Sequence, residues 1–200
     1  MSSQPTLLCI PDISGFTQFM SDTDIELSSK VIPSLLNKVI YANKLDLKVS
    51  EIEGDAILFY RTGSLPTFTE LVQQCRSFYT EFYKQLKKLQ EQYKHDKEVD
   101  NIPDILGLKI VLHYGHSISA VPIGKNIKLM GEDVIVAHRL LKNKIPIDEY
   151  ILISESLLSE YKDETIERNF GWGQLHEMEA KYKHIGDISY SYIDLNPLVE

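Results

Sequence analysis

The apolar positions along the chain switch repeatedly between strand spacing and helix spacing. Leu7 to Ile10 is a short apolar run that ends at Pro11-Asp12, with a glycine following at position 15. It predicts a buried strand that delivers Asp12 to a loop or a helix start. Val31, Ile32, Leu35, Leu36, Val39 and Ile40 recur at helical spacing, and Pro33 fits the first turn of that helix better than its middle. Leu45 to Val49 alternates, and Ala56 to Tyr60 is a second apolar run. The Glu51-Ile52-Glu53-Gly54-Asp55 segment between them predicts a hairpin. Leu71, Cys75, Phe78, Phe82, Leu86 and Leu89 mark a long amphipathic helix whose other face carries Lys84, Lys87, Lys88 and Lys94; those lysines read as a solvated face rather than a binding patch.

In the second half, Asn101 to Asp104 reads as a loop, and Leu108 to His113 and Ile118 to Ile123 read as paired strands. Val134 to Leu141 continues as a helix after Gly131. Tyr150 to Ile153 is a strand, with Ser154 as the N-cap of a short helix. Leu175 to Tyr182 and Ile188 to Leu195 form a closing hairpin turned near Gly186. The order β-α-β-β-α-β-β-α-β-α-β-β predicts an α+β sheet with helices on one side. No linker divides the chain, so residues 1–200 are read as one domain.

Composition narrows the function. With 43% hydrophobic and 25% charged residues, the chain is neither a disordered tail nor a fibrous repeat. A formal net charge of -8 repels phosphate backbones and argues against nucleic acid as a partner. A single nucleotide stays possible where Mg²⁺ or Mn²⁺ supplies local positive charge. Cys9 and Cys75 read as buried free thiols. Met1 to Thr6 carries no signal-peptide core, and no apolar run is long enough to span a membrane; the expected location is the cytoplasm.

Two acidic motifs carry the chemistry. In Asp12-Ile13-Ser14-Gly15-Phe16-Thr17 a carboxylate at a strand end can ligate a hard cation, and the amides after it can face phosphate oxygens. Gly54-Asp55 brings a second carboxylate from another strand. Two carboxylates on adjacent strands can bracket divalent ions for in-line attack at phosphorus. Each Asp alone is equally well read as turn chemistry. His113 and His116 stand three apart, which along a strand puts them on opposite faces and argues against a zinc site. His138, beside Arg139, reads as a surface or interface histidine.

Taken in order, the motifs resemble those of the class III adenylyl and guanylyl cyclases. Asp-Ile-Ser-Gly-Phe-Thr resembles the first metal motif of that family, and Glu-Ile-Glu-Gly-Asp the second. Ile110-Val111-Leu112-His113-Tyr114-Gly115 resembles its strand ending in His-x-Gly. Gly131-x-x-Val134-x-x-Ala137-x-Arg139-Leu140 resembles its transition-state helix, and Lys183-His184-Ile185-Gly186-Asp187 its last hairpin. The resemblance implies a ferredoxin-like antiparallel sheet with helices, and a head-to-tail homodimer with shared active sites. It implies that Asp12 and Asp55, helped by the backbone of Ile13, hold Mg²⁺ or Mn²⁺. Gly15 and Phe16 offer amides to a triphosphate, Lys183 is the phosphate-binding lysine, and Arg139 of the other subunit neutralises the α-phosphate. The implied reaction is attack of the ribose 3′-oxygen on that phosphorus, a lyase reaction that gives a 3′,5′-cyclic nucleotide and pyrophosphate.

The sequence departs from the family pattern at three places. Ile135 stands where the family has an Asn that orients the ribose, and its side chain has no donor or acceptor. Glu51 and Lys128 occupy the base-reading positions, where adenylyl cyclases carry Lys and Asp and guanylyl cyclases Glu and Cys. A carboxylate can accept from guanine N1–H and the 2-amino group while a lysine donates to O6, so GTP is expected ahead of ATP. Adenine read in the swapped sense stays open, as does an inter-subunit Glu51–Lys128 ion pair that excludes a base. His184 replaces the Gly that usually follows the phosphate lysine. The expected function is therefore a divergent cyclase binding a purine nucleoside triphosphate; the alternative is a catalytically silent nucleotide-binding or regulatory module of the same shape.

Overall fold

The computed structural model describes residues 3–93, 105–124, 126–162 and 166–199. Lys94 and the 101–104 segment lie outside the described residues. Strand β1 (Gln4–Ser14) leads into helices α1 (Phe16–Asp22) and α2 (Ile25–Tyr41), then β2 (Lys48–Glu53), β3 (Ala56–Thr62) and α3 (Phe68–Gln92). Next come β4 (Gly107–Ile123), β5 (Asn126–Met130), α4 (Glu132–Leu140), β6 (Tyr150–Ser154), α5 (Glu155–Leu158), β7 (His176–Tyr182) and β8 (Gly186–Asp194). The sheet order is β2-β3-β1-β4-β6-β8-β7, with β5 paired to β4 off that path. Every pairing is antiparallel except that of β4 with β6. The α+β architecture is the expected one: β2, β3, β1 and β4, connected through α2 and α3, form a ferredoxin-like antiparallel unit.

Period-two alternation along the central strands feeds two cores. Leu7, Cys9 and Ile13 of β1, with Ile57, Phe59, Ile110 and Leu112, pack under α2 and α3. Leu8, Ile10, Leu58, Val111 and Leu152 face the opposite way and pack under α4 through Val134, Val136, Ala137 and Leu140. Helices therefore cover both faces, which corrects the one-sided expectation. Central strands apolar on both faces require this cover.

Other expectations shift for local reasons. β1 runs on through Pro11 and Asp12; its ladder to β3 skips Ile10 and Pro11, and Pro11 has no N–H to donate. Pro33 lies inside α2, not in its first turn, because the Asp24 carboxylate caps the Leu27 amide at 2.7 Å and starts the helix two turns earlier. The carbonyl that Pro33 leaves without an i+4 donor, that of Ser29, belongs to an exposed residue that water can reach. Leu45 to Leu47 stay outside β2 because the Asn43 side chain accepts from the Leu45 and Leu47 amides at 3.3 and 3.2 Å. Leu108–His113 and Ile118–Ile123 are two stretches of one strand, β4, rather than a hairpin. The partner of the second stretch is β5, which the sequence reading missed. A register shift against β1 between Gly115 and Ile118 bends β4 where its polar residues read as a turn. Ser154 stands at the N-cap of α5 without capping it; its hydroxyl bonds His113 and Ser156 instead.

One buried carboxylate ties α3 to the sheet. Glu149 is 8% exposed; it accepts from Tyr83 Oη at 2.6 Å, Tyr79 Oη at 3.1 Å and the Leu108 amide at 3.1 Å. Burial, reinforced by this carboxylate, pushes both phenols well above their ordinary range. A Cβ on Gly107 would fall within 2.8 Å of the Glu149 side chain, so only glycine leaves room for the carboxylate. Truncation by Glu149→Ala orphans all three donors, and we expect a loss of about 3 kcal/mol in urea unfolding, with Glu149→Gln losing less.

Candidate functional site

The β1–β3 pairing sets the acidic pair. Asp12 lies opposite Ala56 at the start of β3, and the next residue, Ile13, donates its amide to the Asp55 carbonyl at 3.1 Å. Asp55 is presented by the β2–β3 turn, where Gly54 adopts φ 62°. Both aspartates line one cleft of about 1010 Å³. Asp12 is 9% exposed; burial pushes its carboxyl up to about 6, against the pull of Lys109 and with a push from Asp55. Burial raises Asp55 as well, opposed by a backbone hydrogen bond and by Lys109. Two half-shielded carboxylates facing one cleft are oxygen donors short of positive charge.

Lys109 is the part of the site that sequence reasoning missed. It is the cross-strand partner of Asp12 on β4, with Nζ 3.5 Å from Oδ1. The available signal was a single cation interrupting the apolar run from Leu108 to Leu112. Gly15 opens α1 at φ 76°, and a Cβ there would collide with the Ile105 carbonyl oxygen; Gly15 and Phe16 both line the cleft.

The far wall is α4 with the β2 and β5 edges. Ile135, His138 and Arg139 line it, with Lys142 just past the helix end. Ile135 is 54% exposed, and Arg139 forms no ion pair among the described residues. Lys128 Nζ lies 3.0 Å from Glu51 Oε2, and His138 Nε2 lies 3.9 Å from Glu51 Oε1. The Glu51–Lys128 pair, left open above as a contact between subunits, closes within one chain: β5 folds back beside β2 and brings the two together. Glu51 in turn raises the Lys128 ammonium. Lys183 is not brought to this cleft; it sits on the exposed β7–β8 turn, before His184 at φ 70°.

Behind the cleft, His113 is 4% exposed. Its Nδ1 meets Ser154 at 2.9 Å and Ser156 at 3.1 Å, and its Nε2 meets Asp133 of α4 at 3.3 Å. His116 is exposed, 3.9 Å from Glu160. Cys9 and Cys75 are buried and free, and a hydrogen bond between them and burial push the Cys9 thiol up.

Residues 32–150 match the protein family described as "Protein of unknown function (DUF2652)". The chain belongs to that family. The matched span holds Glu51, Asp55, Lys109, Lys128, Ile135 and Arg139, while Asp12 precedes it. The Mycobacterium tuberculosis protein named "Uncharacterized protein Rv2561/Rv2562" is 30% identical over 161 residues, covering 80% of this chain and 72% of that protein. Among solved structures, the guanylyl cyclase Cya2 superposes with a TM-score of 0.69 at 17% identity, over 96% of this chain and 93% of that one. The adenylyl cyclase CyaB from P. aeruginosa gives 0.63 at 17% identity, over 96% and 94%. The guanylate cyclase domain of RhGC from Catenaria anguillulae gives 0.65 at 18% identity, over 96% and 97%. This DUF2652 member therefore shares the fold of class III cyclase catalytic domains.

Folded Asp12 holds its proton to about pH 6, whereas an unfolded Asp releases it near 3.8. Between those values the folded chain binds more protons, so stability falls as pH rises through this window and levels above it. In chelator, we expect Asp12→Asn to remove that slope, gaining roughly 2 kcal/mol on wild type between about pH 4 and pH 7 in parallel urea titrations. Parallel curves for the two proteins would exclude a buried, proton-holding Asp12.

Proposed function

We propose that this DUF2652 member is a divergent class III nucleotide cyclase that binds a purine nucleoside triphosphate, GTP ahead of ATP, on Mg²⁺ or Mn²⁺. The observation that supports this most is the convergence of Asp12, Asp55 and Lys109 with Arg139 on one cleft. The Catenaria domain of the same fold was solved in complex with GTP.

The residues fit a hard cation. Asp12 and Asp55 offer carboxylate oxygens, and burial leaves Asp12 without enough compensating charge. Asp12 and Asp55 would hold such an ion, which would supply polarisation of the phosphate and screening of its charge. The chain's own groups do the rest. The amides of Gly15 and Phe16 and the Lys109 ammonium receive phosphate oxygens, with the backbone of Ile13 beside them. Arg139 lines this cleft in its own chain, where the resemblance implied the other subunit's; unpaired among the described residues, it offsets charge that builds on the α-phosphate as the ribose 3′-oxygen attacks and pyrophosphate leaves. Glu51 accepts from guanine N1–H and the 2-amino group while Lys128 donates to O6, which requires a base to displace their mutual contact. A homodimer belongs to the same reading. Lys183 does not line the cleft of its own chain, so the phosphate role given to it falls to the cleft of a second copy, and Ile52, Ile127 and Met130 are 50%, 55% and 49% exposed.

Ile135 and the closed Glu51–Lys128 pair favour a second reading, a silent binding or regulatory module. An isoleucine cannot orient the ribose, and a self-satisfied ion pair resists opening. Calorimetry with GTP or ATP and Mg²⁺ or Mn²⁺ tests the ligand: we expect metal-dependent heat, larger in affinity for GTP. Asp55→Ala should abolish that metal dependence with the fold retained. Tighter ATP binding would reverse the base assignment.

Product formation separates the readings. Wild type with Mn²⁺ should release cyclic GMP slowly, and Ile135→Asn, at an exposed helix position, should raise the rate about ten- to a hundredfold. No cyclic nucleotide from either protein over hours would leave the binding module as the function.

A further inference from the structure

We propose that Lys109 takes the place of one divalent cation on Asp12, so that the cleft holds its triphosphate on a single metal ion. This rests on the nucleotide-binding reading of the cleft and narrows it, since the resemblance to class III cyclases implies two ions shared by Asp12 and Asp55.

The sheet, rather than side-chain chance, puts Lys109 there. Asp12 and Lys109 are register partners on β1 and β4, two pairs from the end of an antiparallel ladder that runs from Thr6 to Ser14. The residues flanking Lys109 are pinned: the Leu108 amide is bonded to Glu149 at 3.1 Å, and Ile110 pairs with Ile151 of β6. The ion pair is poorly solvated, with the Lys109 and Asp12 side chains 22% and 13% exposed. Lys109 Nζ lies 3.5 Å from Asp12 Oδ1, and its charge pulls down on both Asp12 and Asp55.

Two divalent ions held by the same two aspartates must each draw on Asp12. One Asp12 oxygen already faces an ammonium, and a metal ion brought to it would meet a like charge in a partly dry site. One ion retains what it needs. Magnesium is satisfied by one or two carboxylates with phosphate oxygens and water making up its octahedron, and Asp55 with the other Asp12 oxygen supplies those carboxylates. Among the described residues no other lysine or arginine pairs with either aspartate; Lys128, the other ion-paired lysine of the cleft, is engaged by Glu51 at 3.0 Å. A lysine cannot leave the site as a metal can, so the charge it contributes is independent of metal concentration.

The test counts ions instead of turnover. The full chain is saturated with guanosine 5′-(α,β-methylene)triphosphate, which cannot release pyrophosphate, and titrated with Mn²⁺ by electron paramagnetic resonance. We expect one bound Mn²⁺ per bound nucleotide for wild type, one for Lys109→Arg, and two for Lys109→Met, which keeps the stem and removes the charge. With Mn²⁺ alone, Lys109→Met should bind at least tenfold more tightly than wild type. Circular dichroism confirms folding, and Lys109→Gln replaces the Met variant if that one fails to fold. Two ions in wild type, or one ion in a folded, nucleotide-bound Lys109→Met, overturns the inference while leaving nucleotide binding intact. Absence of any nucleotide binding by wild type overturns the reading of the cleft, and this inference with it.

Discussion

The pairing of β1 with β3 on one side and β4 on the other is the constraint on which the rest of the structure depends. A strand in mid-sheet has its position fixed from both edges, so the residue at its end cannot choose its neighbours. Asp12 thereby receives Asp55 from one neighbour, through the Ile13 amide and the β2–β3 turn, and Lys109 from the other. The apolar residues that hold β1 in place point alternately into two cores, one under α2 and α3 and one under α4. Burial on both faces is also what makes the Asp12 carboxylate costly to ionise. The same packing that stabilises the fold creates a demand for positive charge at one spot.

That demand orders the reading of the cleft. Class III cyclase domains are matched in fold across nearly the whole chain at less than a fifth sequence identity. In this chain acidic groups stand at the strand end and the turn, and Arg139 stands on the facing helix. At the positions that the family resemblance assigns to ribose and base, Ile135 offers nothing to a hydroxyl, and Glu51 and Lys128 hold one another. Under the proposed function, a charge site for the phosphates and an altered grip on the nucleoside can coexist because they sit on different elements.

Much of this was legible in the sequence. The apolar runs of 7–10, 56–60 and 150–153, the helix through Phe78 and the closing hairpin follow from local periodicity, and Gly54-Asp55 is a turn on composition alone. What was missed depends on tertiary neighbours. The span of β4 through the polar His113–Ser117 stretch, and the existence of β5, rest on pairing partners distant in sequence. Pro33 misled because the true start of α2 is a capping contact by Asp24, seven residues before the apolar stripe begins. Lys109 was passed over because a lysine in an apolar run has no meaning until the strand opposite is known. Lys183 carried a motif but not a position, and its own chain leaves it on a remote turn.

β4 carries three separate duties at fixed intervals: Lys109 beside Asp12, His113 gripping α4 through Asp133, and Val121 pairing with Lys128 of β5. Side chains on a strand alternate, so one inserted or deleted residue near Ile110 would turn everything beyond it to the wrong face. The cation of the cleft, the anchor of the facing helix and the partner of Glu51 would then be displaced from one another in a single step. Point substitution can tune each of these duties on its own, but length variation in this strand cannot. Side-chain exchange at constant strand length therefore leaves all three placements intact, whereas a change in the length of β4 undoes their mutual alignment.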